Sequence, residues 1–562
     1  MMTLFMLILV GLALAIGLTV AFAPLETLLD RYIPDDAFYY LQTARVFART
    51  GFSSFDGLHF TNGYHPLWFL VQTPLFWLFP EGGETPLRLI LLAQTALVGA
   101  AAAILFRTLA RLFGMVEAAV AVGVYIALFA RISVNGLETA LLMCLYALTL
   151  AQFIRIRQGR ARDHVLGLLA GLTFLARTDM VFLVALIFVS YFARRDLLSG
   201  GFKPALLNAL RYAVPVALLA GSYLLINLAT TGHLTQVSGA AKAHYSYAAR
   251  EGAIAAGGDR FTVYFQNAIW AFRNDIRHIG LASVMLLALT LLGLRFRPLR
   301  ALPPLFPFII AGALAYLYYG VFFYGFFSQT GWYFGPQAAL AALMIAALAA
   351  ALRDLARSEM LGAVVAAILA AWVLRLLSHE AALLALGAAL VIARVIPLRP
   401  IRLVAPAIGV LVLLLLVGGG LLTLAQEAAT PVGGWGTHLL YGARWAREHL
   451  PPQATIWAGS SGILGYFSDR TVVNVDGLIN DYDFLENYLI PGRHREYYAQ
   501  YDYGIDTFPL DRPGSLDRPG CLLPVELFDP PPPFDEAGTR RQIGFYQMQP
   551  QGMVDCAIVE GE

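Results

Sequence analysis

The chain has 562 residues, of which 39 Lys and Arg plus 37 Asp and Glu make only 14%, while 58% are apolar. Soluble domains carry about 25% charge, so a water-covered globule of this length is excluded. A formal charge of +2 leaves no basic excess for a nucleic-acid partner. Apolar runs of about 20 residues recur, each able to cross about 30 Å of hydrocarbon, and they predict a polytopic α-helical membrane protein.

The first run, from Met1 to about Ala23, lacks a basic leader and a small-residue cleavage site, and exceeds the roughly 7–15 residues of a signal-peptide core. It is expected to stay as the first crossing. Basic clusters then recur at Arg107/Arg111, Arg155/Arg157/Arg160/Arg162, Arg194/Arg195/Lys203/Arg211, Arg295/Arg297/Arg300, Arg353/Arg357 and Arg394/Arg399/Arg402. Lys and Arg near helix ends are held in the cytoplasm, so these clusters mark one side. The pattern predicts 13 spans, at 3–23, 86–106, 116–130, 137–154, 164–178, 179–193, 209–229, 280–294, 303–323, 336–352, 360–376, 380–394 and 403–424. Residues 1–424 then form the membrane region, with outer loops at about 24–86 and 230–280, and residues 425–562 form an extracytoplasmic tail. The apolar stretch His65–Phe79 breaks the alternation and is expected to lie at the outer interface.

In the first outer loop, Pro34-Asp35-Asp36 is a helix-start signature, since Pro fits the first turn and anions suit its positive end. The same two carboxylates, placed at the lipid–water boundary, can hold a sugar hydroxyl, bind a divalent ion (Mg or Mn) or accept a proton. Asp56-Gly57 and Asn62-Gly63 are turn dipeptides. His65 precedes Pro66, which pushes its backbone extended and aims the imidazole away from the following helix.

Asp35-Asp36, the helix carrying Ala44-Arg45, the Gly-rich turn and Asn62-Gly63-x-His65-Pro66-Leu67-x-x-Leu70 together resemble the first loop of the GT-C glycosyltransferases. These are membrane enzymes that take sugar from a polyprenyl-phosphate carrier. Lipid A aminoarabinose transferases and protein O-mannosyltransferases have a related acidic pair and a later Lys-Pro-Pro or His-Pro-Pro element, matched here by His65-Pro66-Leu67. Mycobacterial arabinofuranosyltransferases share the Asp-Asp start and an outer C-terminal domain. The resemblance is strongest over residues 30–180. It implies a GT-C fold, a glycosyltransferase activity, a polyprenyl-phosphate sugar donor and a bacterial inner-membrane location.

Glu138, in Asn135-Gly136-Leu137-Glu138-Thr139, falls on the first turn of a helix, where the dipole favours a carboxylate. GT-C enzymes often place a second acid here, so the resemblance implies a site role. Arg177, in Leu175-Ala176-Arg177-Thr178-Asp179, interrupts a long apolar stretch. Charges at membrane depth are costly and usually pair, so Arg177 either pairs with Asp179 or meets the carrier phosphate. Lys242, in the second outer loop, is a solvated loop lysine or a phosphate contact. The stretch Ala248–Gly258 reads as a mobile flap. Trp332 and Tyr333 can stack on sugar or prenyl, although aromatic belts also explain them.

The tail alternates helix and strand, with a helix at 441–450, a strand at 454–458, a short helix at 462–467 and a strand at 471–475, which predicts a small α/β domain. Asp476, Asn480 and Asp481 are turn residues or acceptor contacts. Cys144 reads as a packed thiol, and Cys521 with Cys556 as a pair able to bridge in an oxidising compartment.

The reading is an inverting transfer from a polyprenyl-phosphate sugar to a hydroxyl of a glycan, lipid or protein. Asp35 acts as base, Asp36 and Glu138 orient sugar or a metal ion, and His65, Arg177 and Lys242 meet the phosphate. Asp56, Asn62, Tyr64, Trp332 and Tyr333 hold sugar or acceptor. A transporter or flippase of lipid-linked sugars is the alternative, and it predicts repeated halves and broken midplane helices. A sugar-binding subunit without activity is a third.

Overall fold

The structure, a computed structural model, describes residues 2–193, 200–270, 275–323, 331–355, 434–509, 522–528 and 541–548. The membrane region is helical. Its opening helices are α1 (Met2–Ala21), α2 (Leu25–Arg31), α3 (Asp36–Thr50), α4 (Pro66–Leu78), α5 (Glu84–Phe113), α6 (Met115–Ser133), α7 (Thr139–Arg157), α8 (Asp163–Ala176) and α9 (Val181–Ser190). There follow α10 (Phe202–Val216), α11 (Ser222–Thr231), α12 (Val237–Ala255), α13 (Arg260–Trp270), α14 (Asp275–Gly293), α15 (Phe306–Phe322) and α16 (Gly335–Leu355). Among the described residues, six segments are long and apolar enough to cross a membrane: 2–21, 84–113, 139–157, 202–231, 303–322 and 331–351. The chain is therefore an integral membrane protein.

Side-chain size sets how these helices meet. A Cβ on Gly17 of α1 would stand 2.4 Å from Thr95 Oγ1 on α5, so only glycine lets the two backbones approach this closely. Pro215 lies inside α10, and a π turn over Ala217–Gly221 joins it to α11. A proline removes one backbone donor, and a wider turn is a usual way to absorb the break. Along this pair Leu207, Leu210, Val214, Leu218 and Leu225 are exposed, a face suited to lipid tails.

The described helices overlap ten of the expected spans, while those at 360–376, 380–394 and 403–424 lie outside the described residues, as do Cys521 and Cys556. Residues 66–78 do form a short separate helix, α4, with Pro66 in its first turn and His65 extended before it. The flap expected at Ala248–Gly258 is instead helical through Ala255. Alanine is the strongest helix former, and the turn comes only at Gly257, whose φ is +94°.

The tail contains α17 (Trp435–His449), β1 (Thr455–Ala458), α18 (Gly462–Phe467), β2 (Thr471–Asn474), β3 (Tyr503–Pro509), β4 (Leu522–Phe528) and β5 (Arg541–Met548). The strands form one sheet in the order β2-β1-β3-β5-β4. β1 pairs in parallel with β2 and β3, and β5 runs antiparallel to β3 and β4. The tail is fastened to the segment between α1 and α5. Asp30 of α2 accepts the N–H groups of Gly434 (3.0 Å) and Thr437 (2.8 Å) at the start of α17, where an anion also suits the helix dipole. Thr61 donates to the carbonyl of Asn480 (2.9 Å), and Gly63 lies so close to the tail that a Cβ there would stand 2.1 Å from the Leu478 carbonyl. That contact is with backbone, which cannot swing away. Gly63→Ala is expected to cost about 1–3 kcal/mol and to open the tail to limited proteolysis.

Candidate active site

Three backbone features bring the candidate polar residues together. The first is the left-handed turn between α6 and α7, where Gly136 has φ +82°. Its carbonyl accepts Trp68 Nε1 (2.8 Å) and Gln72 Nε2 (3.2 Å) from α4, and its N–H donates to Gln94 Oε1 of α5 (2.9 Å). This clamp fixes Glu138 at the head of α7. The second is the extended residue His65, and the third is the short connection Arg177–Met180 between α8 and α9.

Glu138 is 4% exposed. Its carboxylate accepts the Tyr40 hydroxyl (3.0 Å) and stands 3.7 Å from Arg177 Nε and 3.9 Å from His65 Nε2. Arg177, only 1% exposed, donates to Asp179 Oδ2 (2.9 Å), the Tyr319 hydroxyl (2.9 Å) and the Trp332 carbonyl (3.1 Å). Its guanidinium also lies 4.7 Å from the Tyr333 ring centroid. The pairing of Arg177 with Asp179 is thus present, while its Nε–H is buried without a hydrogen-bond partner among the described residues. Arg177→Met strands the carboxylates of Asp179 and Glu138, so we expect a loss of about 3–5 kcal/mol, read as a lowered unfolding temperature in detergent.

Lys242 differs. Its Nζ donates to the Tyr333 hydroxyl (2.8 Å) and lies 5.5 Å from that ring, with no carboxylate within ion-pair distance among the described residues. Burial alone would lower its pKa, but the Tyr333 hydroxyl and the carboxylate of Asp36 raise it above the usual lysine value, so it is a cation. His65 is the opposite case. Burial, helped by Arg177 and Lys242, pushes its pKa down to about 3, so the ring is neutral at physiological pH. Its Nδ1 faces Gln236 Nε2 at 3.2 Å.

The acidic pair divides. Asp35 faces the tail, and its two oxygens accept the N–H groups of Gly462 (2.9 Å) and Ile463 (2.7 Å) at the start of α18. Burial raises its pKa to about 6 against the opposing pull of those two hydrogen bonds. Asp36 sits one residue on, partly exposed, with no side-chain hydrogen bond among the described residues, and its charge helps to hold Lys242 protonated. A divalent ion held by both acids would have to share Asp35 with those two N–H donors. Among the described residues no group of three His, Cys, Asp or Glu is placed to hold a metal.

Other expected site residues serve the loop itself. Asp56 accepts the N–H groups of Leu58 and His59 and pairs with His59 Nδ1 at 2.7 Å. Asn62 reaches the start of α12, taking the Val237 N–H (3.0 Å) and donating to the Thr235 carbonyl (3.1 Å). Tyr64 stacks on Phe69 with centroids 4.3 Å apart. Asp481 caps the turn at Phe484. Trp332 and Tyr333 do border the cluster, with rings inclined by 24°. No motif signals Tyr39, Tyr40, Gln236 or Tyr319. The available hint is that polar-tipped tyrosines come within one helical turn of Asp36 and recur inside an otherwise apolar span.

Comparison with known proteins places this arrangement. Residues 436–515 match a family described as a domain of unknown function, DUF8728. No curated protein matches the chain by sequence. Among solved structures, ArnT from Cupriavidus metallidurans bound to undecaprenyl phosphate superposes with a TM-score of 0.51 at 14% identity, over 96% of this chain and 97% of that one. The Archaeoglobus fulgidus oligosaccharyltransferase in its apo form gives 0.52 at 12% identity, over 89% of this chain and 69% of that one. The chain has the GT-C fold.

Proposed function

We propose that this chain is an inverting glycosyltransferase that moves sugar from a polyprenyl phosphate to a hydroxyl acceptor at the outer face of the membrane. The observation that carries the reading is the convergence of Asp36, Glu138, neutral His65 and Lys242, a cation without an ion pair among the described residues, supplied by α3, α7, the start of α4 and α12. The GT-C fold, and the undecaprenyl phosphate bound to ArnT, support a lipid-phosphate donor.

The geometry suggests the roles. Lys242 meets the donor phosphate, while Arg177 and Glu138 hold Tyr333 and Tyr40 around it. Asp36, whose charge acts on Lys242, takes the acceptor proton; Asp35 holds the tail. As that proton leaves, the acceptor oxygen bonds to the anomeric carbon from the face opposite the phosphate. The bond from that carbon to the phosphate oxygen breaks, and its electron pair leaves on the polyprenyl phosphate. The charge gained there is offset by the ammonium of Lys242, already in position.

Thirteen crossings would place the acids, the second loop and the tail on the extracytoplasmic side of a bacterial inner membrane, where lipid carriers supply activated sugar. The test is consumption of donor. Purified protein in lipid nanodiscs is incubated with a panel of radiolabelled undecaprenyl-phosphate sugars and membrane acceptors. Acceptor-dependent loss of one lipid-linked sugar supports transfer. Movement of intact donor across sealed vesicles, without its consumption, would establish a flippase instead.

A further inference from the structure

Gln236 stands just before α12 and is buried, and its amide is turned back onto the start of α4. Its Nε2 donates to the Tyr64 carbonyl (2.6 Å) and meets His65 Nδ1 at 3.2 Å, while its Oε1 accepts the Thr178 hydroxyl at 3.5 Å. A carbonyl oxygen only accepts hydrogen bonds, so the Gln236 atom facing Tyr64 is the amide nitrogen and not the amide oxygen. That nitrogen only donates, so the Nδ1 beside it carries the lone pair of the ring. An imidazolium and the Nδ1–H tautomer are both excluded, since each would set one N–H against another. The proton of the neutral ring therefore resides on Nε2.

Nε2 stands 3.9 Å from Glu138 Oε1, too far for a direct hydrogen bond. Among the described residues it has no hydrogen-bond acceptor, and 22% of the His65 side chain stays exposed, so a ligand can reach the ring. Tyr40 holds the two groups in one frame. Its hydroxyl accepts the His65 backbone N–H (3.2 Å) and donates to Glu138 Oε2 (3.0 Å). A donor and an acceptor this far apart fit a single oxygen that lies about 2.8 Å from each and both accepts and donates. A hydroxyl does so, whereas a phosphate oxygen only accepts and would face Glu138 as a second acceptor. The neighbours of the pair, Tyr40, Arg177 and Gln236, all come from the membrane region, which favours the sugar carried in on the lipid. We propose that Gln236 is a positioning residue, which locks His65 in the Nε2–H form so that His65 and Glu138 together hold one hydroxyl of the lipid-linked sugar. This rests on the transferase reading and deepens it.

The first readout is the ring itself. Full-length protein with 15N-labelled histidine rings is placed in lipid nanodiscs for solid-state NMR at neutral pH. The His65 signals, among those of ten histidines, are the ones missing from His65→Gln. Wild type should show a bare Nδ1 and a protonated Nε2. Gln236→Glu puts an acceptor beside Nδ1, so a proton should appear there. A protonated Nδ1 in the wild type, or ring shifts unchanged in Gln236→Glu, would overturn the inference. The second readout is turnover with monodeoxy analogues of whichever undecaprenyl-phosphate sugar the wild type consumes. One analogue should be used about tenfold less well or worse by the wild type, and that analogue alone should be used equally by wild type and Gln236→Glu. Binding of sugar-free undecaprenyl phosphate should be the same in both proteins. A Gln236→Glu defect equal across all analogues, or a loss of affinity for the sugar-free lipid, would put His65 on the phosphate and contradict the hydroxyl contact. So would a Gln236→Glu protein whose only change is a lowered unfolding temperature. A wild type that consumes no lipid-linked sugar would instead sink the transferase reading, while the ring nitrogens still decide the Gln236 contact.

Discussion

Asp36→Asn is expected to lower transfer by about 100- to 10,000-fold, the range a positioned general base contributes. The substitution keeps shape and removes only the proton acceptor, so folding and binding of undecaprenyl phosphate should be unchanged. Asp35→Asn should behave differently. Asp35 holds the N–H groups of Gly462 and Ile463, so its loss loosens α18 and the tail before it touches chemistry. The two effects separate by pH. The Asp35 pKa rises from 3.8 in the open chain to about 6 in the fold, because burial disfavours the charge. The folded state then holds that proton more tightly. Its contribution is fully present below the unfolded value and is lost as pH rises through 6, a span worth at most about 3 kcal/mol. Unfolding temperatures measured from pH 4 to 8 should fall less steeply in Asp35→Asn than in wild type. His65, neutral throughout that range, contributes no limb to the rate profile.

Lys242→Gln should reduce transfer by about 100- to 1,000-fold, the cost of losing one preorganised charge-stabilising contact. Its ammonium has a hydroxyl partner in Tyr333 but no bonded carboxylate, so it can take up a phosphate without first breaking an ion pair. A phosphate at the buried Arg177 would instead compete with the ion pair to Asp179, beside the contacts to Tyr319 and Trp332. Lys242→Gln should weaken undecaprenyl phosphate binding, measured by native mass spectrometry, with little change in unfolding temperature. Arg177→Met should show the reverse order, stability failing first. Lys242→Arg should recover part of the loss, since it restores charge but not the shape of the contact.

Much of this architecture is legible in residue order. Apolar runs separated by basic clusters mark the spans, because hydrocarbon tolerates little else. Pro66 after His65 marks α4, and the alternation from 441 to 475 marks α17, β1, α18 and β2, since each is a short-range pattern. Asp35 and Asp36 are also conspicuous. Their division is not, because it depends on where Gly462 and Ile463 dock, more than 400 residues away along the chain. The same holds for Arg177. Sequence offers Asp179 or a phosphate as partner, and only the fold brings Tyr319 and Trp332 up to the same guanidinium. Tyr39 and Tyr40 carry only a faint signal because a tyrosine on a helix is ordinarily packing. Their hydroxyls become informative once Asp476 and Glu138 are seen opposite them.

The central claim is that a lipid phosphate sits beside Lys242 and Tyr333, across from Asp36. The most direct measurement is photolabelling with a polyprenyl phosphate that carries a diazirine next to its phosphate, followed by peptide mapping. Labelling should fall on α12 around Lys242 and on the segment around Tyr333, and excess undecaprenyl phosphate should compete it away. Labelling confined to the exposed apolar face of α10 and α11, with no competition, would contradict the account.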